Sequence, residues 1–96
     1  MVSNPVSSAD MRKMIKRDGA RVIDVRSIPE IEKDGFVKNM VNIDFGGNFA
    51  SWAGTILSPK GFYIVYGPED KAKESIKRLL RIGYVNIGGY CSDNIS

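Results

Sequence analysis

A chain of 96 residues with 43% hydrophobic and 26% charged side chains can build one modest core, and it carries too much apolar material for large-scale disorder. Its net charge of +3 comes from lysines and arginines interleaved with acids, with no basic stripe that would suit nucleic acid, and no apolar run is long enough to span a bilayer. Histidine is absent and cysteine occurs once, which leaves no zinc site, no internal disulfide and no expected cofactor, and fits a reducing, cytoplasmic setting.

The opening residues "MVSNPVSS" lack the basic and apolar segments of a secretory signal. "VSSADMRKMIKRDG" then reads as a short helix. Ser7 is its N-cap with Asp10 three residues on, Val6 can staple against Met11, and Gly19 ends it. Met11, Met14 and Ile15 form the stripe expected to be buried. "ARVIDV", about residues 20–25, is a β-branched run expected to be a strand covered on both faces. In "SIPEIEKDG", Ser27 as cap, Pro29 in the first turn and Gly35 as stop predict a second short helix. "MVNIDF", about 40–45, is the next strand.

Phe49, Trp52, Ala53, Ile56 and Leu57 then fall on one face of a helix with Asn48 as cap and Pro59 beyond its end. "GFYIVY" gives a third strand near 62–66. The final helix is expected from about Pro68 to Ile82, with Ala72, Ile76, Leu79 and Leu80 inward. Its early acids Glu69, Asp70 and Glu74 and late bases Lys77, Arg78 and Arg81 complement the helix dipole, and Gly83 caps it. "YVNIGGY" supplies a last strand near 84–88, and "CSDNIS" reads as a frayed tail. Strands alternating with crossovers of this length predict an α/β fold, a compact parallel sheet of four to five strands with helices on both faces, in a single domain over 1–96.

The junction "GPEDKA" follows the third strand directly, where α/β folds commonly place their chemistry, yet it offers neither nucleophile nor phosphate cradle. "VIDVRSIPEIEKDGFVKNMVNID" resembles the rhodanese-like pattern: Asp24 and Arg26 match its Asp-x-Arg, Gly35 its first Gly, and Asn42 and Ile43 its closing Asn-Ile. Phe36, Lys38 and Asn39 depart from the pattern's His, Pro and Gly. "NFASWAGTILSPKGFYIVYG" with "RLLRIGYVNIGGY" is further similar to the rhodanese-homology domain fused behind metallo-β-lactamase-fold persulfide dioxygenases, the glyoxalase II-like hydrolases.

Active members of the broad family transfer sulfane sulfur through a Cys opening a six-residue loop. By the resemblance that loop is Gly67, Pro68, Glu69, Asp70, Lys71 and Ala72, so the nucleophile's position holds Gly67. Pro68 removes an N–H from the cradle, while Glu69 and Asp70 put negative charge where an anionic donor would sit. The resemblance thus implies a catalytically inactive module of sulfane-sulfur (persulfide) metabolism, with a protein partner or a covalently fused metallo-β-lactamase-fold domain. The alternative is an active sulfurtransferase or a phosphatase-like enzyme on the same fold.

Each candidate residue also has an ordinary reading. Cys91 is either a relocated nucleophile or a tail residue with no adjacent cation to lower its pKa, and the second is preferred. Lys71 and Lys73 either bind an anion or form a solvated face balanced by nearby acids. Asp24 and Arg26 either shape a rim or tie backbone and loops together. Trp52 with Phe49 is either core or a partner patch. Segment 46–54, including Phe49, Ala50, Trp52 and Gly54, is the aromatic, uncharged stretch expected at an interface. "FGGN" lacks the spacing of a phosphate-binding fingerprint and reads as a loop.

Overall fold

A computed structural model of the chain describes residues 4–94. Its elements in order are α1 (Ser8–Asp18), β1 (Arg21–Asp24), α2 (Ile28–Asp34), β2 (Met40–Asn42), α3 (Phe49–Ile56), β3 (Tyr63–Tyr66), α4 (Glu69–Arg81) and β4 (Ile87–Cys91). The strands form one sheet in the order β2-β1-β3-β4, every pair parallel. The central strands are buried nearly throughout, as expected of apolar runs with no polar alternation.

The two sheet faces are covered by different helices. Ile23, Val25 and Val65 point towards α3 and α4, meeting Phe49, Ala53, Ala72, Ile76 and Leu79. Val22, Ile64 and Tyr66 face the other way, into a smaller cluster with Met11 of α1. At the β4 edge residues 4–6 run alongside as an extra extended segment. Val6 N–H donates to Tyr90 O at 2.7 Å, and Tyr90 N–H to Asn4 O at 3.0 Å. Gly89 makes this approach possible, because a Cβ there would collide with Asn4 O.

The helix ends follow local chemistry. Ser7 Oγ accepts from Asp10 N–H, and Gly19 closes α1 in the left-handed region at φ 69°. Ser27 and Glu30 form a reciprocal capping box at α2, Ser27 N–H donating to Glu30 Oε1 at 2.8 Å. Asn48 stands at the start of α3 without a side-chain cap.

Several sequence expectations are displaced. The last strand lies at Ile87–Cys91 rather than 84–88, because Tyr84 turns inward and donates its hydroxyl to Leu57 O at 2.7 Å. Cys91 is therefore the fully buried end of β4 and not part of a tail, while residues 95–96 of that expected tail lie outside the described residues. β2 ends at Asn42, and α4 is Glu69–Arg81. Of the inward stripes, Ile15 is 41% exposed and Leu80 36%. Trp52 at 56% and Ile56 at 48% leave the core to Phe49, Ala53 and Leu57. The helical period is right in each case, but the buried arc is narrower than the apolar arc.

Candidate functional site

The C-terminal ends of β1, β3 and β4 converge on a shallow cavity of about 110 Å³, lined by Arg26, Glu30, Asp34, Tyr66, Gly67, Pro68 and residues 92–94. Its base is an ion pair. Asp24 and Arg26 are 2% and 3% exposed, and Arg26 Nε and Nη2 donate to the two Asp24 carboxylate oxygens at 2.9 and 2.8 Å. Such a planar bidentate contact is what a guanidinium makes best. Arg26 Nη1 donates to Gly35 O at 3.0 Å, and the Arg26 backbone N–H returns to Asp24 Oδ1. The Asp24 hydrogen bond raises the Arg26 pKa further, against the opposing effect of burial, so the guanidinium stays charged.

Asn42 completes the knot, its Nδ2 donating to Asp24 O and Arg26 O at 2.9 and 3.1 Å. Asp24, Arg26, Gly35 and Asn42 thus meet in one network that ties β1, β2 and the end of α2. The Arg26 guanidinium also lies over the Tyr66 ring, 5.0 Å from its centroid.

Gly67 is buried at the β3–α4 junction with φ +154°. A Cβ placed on it would sit 2.9 Å from Val25 Cγ2, so the backbone and the neighbouring side chain both oppose any larger residue. Its N–H donates to Cys91 O at 3.1 Å and belongs to the sheet. Pro68 has no N–H, so the first two positions of this loop offer no donor to an anion.

The acids around the cavity are not the ones the loop sequence suggests. Glu69 and Asp70 lie outside its lining, and Glu30, Asp34 and Asp93 supply the negative charge. The sequence signal for Glu30 was its capping-box position, and nothing local marks Asp93 as a neighbour. Lys71 pairs with Glu30 at 2.6 Å, linking α4 to α2 across the cavity mouth. Burial alone would raise the Glu30 pKa, but hydrogen bonds from Lys71 and Ser27 outweigh it and hold the carboxyl below its ordinary value. Lys73 pairs instead with Glu69 within α4, and Ala72 is core.

Cys91 lies beneath α1 among Met11, Ala20, Val22 and Tyr66, fully buried. Burial pushes its thiol pKa up, opposed only in part by a hydrogen bond from the Asp93 backbone and by Arg12. That is the setting of an inert thiol. Trp52 is not on this rim. It borders a separate depression of about 330 Å³ with Asn42, Ile43, Asp44, Gly47 and Ile56. Phe49, expected beside it, is 1% exposed and unavailable to a partner, whereas Ala50 is half-buried and Gly54 exposed. Among the described residues no group of three or more acidic, cysteine or histidine side chains is arranged to hold a metal, and no helix is long and apolar enough to cross a membrane.

Comparison with known proteins bears on this geometry. No curated protein matches the chain. Among solved structures, a rhodanese-related protein from Thermoplasma volcanium is 25% identical, with 97% of this chain and 87% of that one aligned at a TM-score of 0.70. A metallo-β-lactamase from Staphylococcus aureus subsp. aureus COL is 26% identical over 75% of this chain, at a TM-score of 0.65, and this chain spans only 21% of its length. An anaerobic ergothioneine biosynthesis enzyme from Chlorobium limicola shares the fold at 14% identity and a TM-score of 0.66, over 92% of this chain and 24% of that one. The family model for the rhodanese-like domain matches residues 7–91, and the chain belongs to the rhodanese-like domain family.

Proposed function

We propose that this rhodanese-like module of the sulfurtransferase family is catalytically inactive and acts as an accessory, interaction-bearing domain in sulfane-sulfur (persulfide) metabolism, in a reducing cytoplasm. The observation that carries this reading is Gly67. It stands where the family resemblance puts the nucleophile, it carries no reactive group, and its φ of +154° and the 2.9 Å approach of Val25 oppose any side chain there. The carboxylates of Asp34 and Asp93, beside a Glu30 that Lys71 neutralises, add negative charge to the rim and disfavour anionic sulfur donors. The expected partner is a metallo-β-lactamase-fold domain, fused or separate. The partial similarity to a much longer metallo-β-lactamase supports that choice.

A sulfur-transfer assay from thiosulfate to cyanide tests the reading. The full chain is expected to give no turnover above the uncatalysed rate. Gly67→Cys is expected to restore little and to lose about 1–3 kcal/mol of stability, the usual cost of a strained backbone conformation. Robust turnover by the wild-type chain that disappears in Cys91→Ser would establish the rival reading, an active sulfurtransferase using the buried thiol.

A further inference from the structure

On the opposite edge of the sheet from residues 4–6, α1 leaves β1 and β2 partly uncovered. The result is a groove of about 220 Å³ whose apolar lining includes Ala20, Val22, Met40 and the outward-turned Ile15. It is continuous, through Arg12 and Ile15, with a second surface depression along α1. Arg12, Lys13, Lys16 and Lys38 border the two, and no carboxylate lines either. None of these four cations is in an ion pair among the described residues, whereas Lys71, Lys73 and Arg78 on and beside α4 each have an acidic partner. Among the described residues, the charged groups bordering the two depressions are thus cations alone.

The groove runs beside an open sheet edge. Among the described residues β2 pairs with β1 alone. Ile43 N–H donates inward to Asp24 O, so by the alternation of a parallel ladder Met40 and Asn42 turn their backbone N–H and C=O outward. β2 carries no charged side chain, and charge is a common protection of an exposed edge.

We infer that this edge is a docking site for an extended acidic segment of a partner protein, which adds as a strand along β2, inserts alternate apolar side chains beside Ile15 and Met40, and sets its carboxylates against Arg12, Lys13, Lys16 and Lys38. Strand addition draws affinity from main-chain hydrogen bonds and specificity from pockets for alternate side chains, and both halves are present here. A nucleic acid is the poorer fit, because no aromatic side chain lines the groove for base stacking. A membrane surface is also poorer, because Ile15 is the single apolar side chain among the α1 cations of the second depression, and the other apolar groups lie down in the groove. The β2 edge meets the Trp52 depression at Asn42 but draws its cations from α1 and Lys38, and it is independent of the catalytic state of the Gly67 loop.

The probe is a fluorescein-labelled nonapeptide alternating Glu and Val, titrated with the full 96-residue chain and followed by fluorescence anisotropy. Saturable binding is expected, lost when the Glu residues are replaced by Lys and weakened about tenfold or more by N-methylation of the alternate amides that face the edge. Arg12→Glu and Lys38→Glu, both at exposed positions, should each weaken binding about fivefold, the effect diminishing in high salt. Absence of binding, equal binding by the Lys peptide, or indifference to N-methylation would each overturn the inference. So would tighter, Arg12- and Lys38-dependent binding to phosphatidylserine vesicles or to a single-stranded oligonucleotide than to the peptide. The peptide arms need only the wild-type chain, so a variant that fails to fold leaves the inference open to refutation.

Discussion

Asp24 and Arg26 show how much one pair of side chains can carry in a small domain. Both are almost fully buried, and their charges are compensated chiefly by each other, with Gly35 O and the Tyr66 ring on the guanidinium and the Arg26 backbone N–H on the carboxylate. Removing one partner strands the other in a low-dielectric setting, which typically costs about 3–5 kcal/mol. Asp24→Ala should therefore lower the urea midpoint by most of the protein's margin, and a loss below about 1 kcal/mol would show that Arg26 finds water or another acid. Asp-x-Arg was legible as a unit because the rhodanese-like pattern carries it. That Gly35 and Asn42 complete the same network was legible only through the family pattern, since the contacts span 9 to 18 residues of sequence.

At the scale of elements, α2 buries no residue, and it is restrained by its capping box, by the Glu30–Lys71 bridge to α4 and by the Arg26 hydrogen bond to Gly35 O at its end. Because the Glu30 pKa is lowered in the fold, the unfolded chain binds the proton more readily. The stabilisation is therefore present above the ordinary carboxyl value of 4.5 and is lost as the pH falls through the folded value. Comparing wild type with Glu30→Gln from pH 7 to pH 3, the stability difference should shrink below about pH 4.5. A pH-independent difference would mean that the bridge contributes nothing beyond packing. Strand and helix types were readable from periodicity and caps, but the position of β4 was not. "YVNIGGYC" is apolar enough at either end to be the strand, and the choice is made by Tyr84, whose hydroxyl is drawn to carbonyls 27 and 31 residues away.

Across the whole molecule, the two sides of the chain's chemistry lie apart. The Gly67 cavity sits at the strand C-termini, while exposed Trp52 and Ile56 mark a separate face bordered by Asp44. Trp52→Glu should leave stability within about 0.5 kcal/mol, as surface substitutions usually do. It should nevertheless weaken titrated association with a metallo-β-lactamase-fold domain, as should Ala50→Glu. Unchanged association with both variants folded would move that interface away from segment 46–54. A helical wheel could place Trp52 on the apolar arc of α3. It could not show that only Phe49, Ala53 and Leu57 of that arc reach the core.

The extended segment at residues 4–6, held to Tyr90, and the donation from Ser8 N–H to Asp93 Oδ2 bring the first and last described parts of the chain to one border of the sheet. Polypeptide attached on either side would leave the domain from the same border, like a page hinged along its spine. The opposite border, with β2 and its basic groove, is the part such a hinge would swing most freely. Joining the two ends by a short linker and opening the chain in the exposed turn at 58–60 should preserve the fold, since neither change crosses the buried network at Asp24.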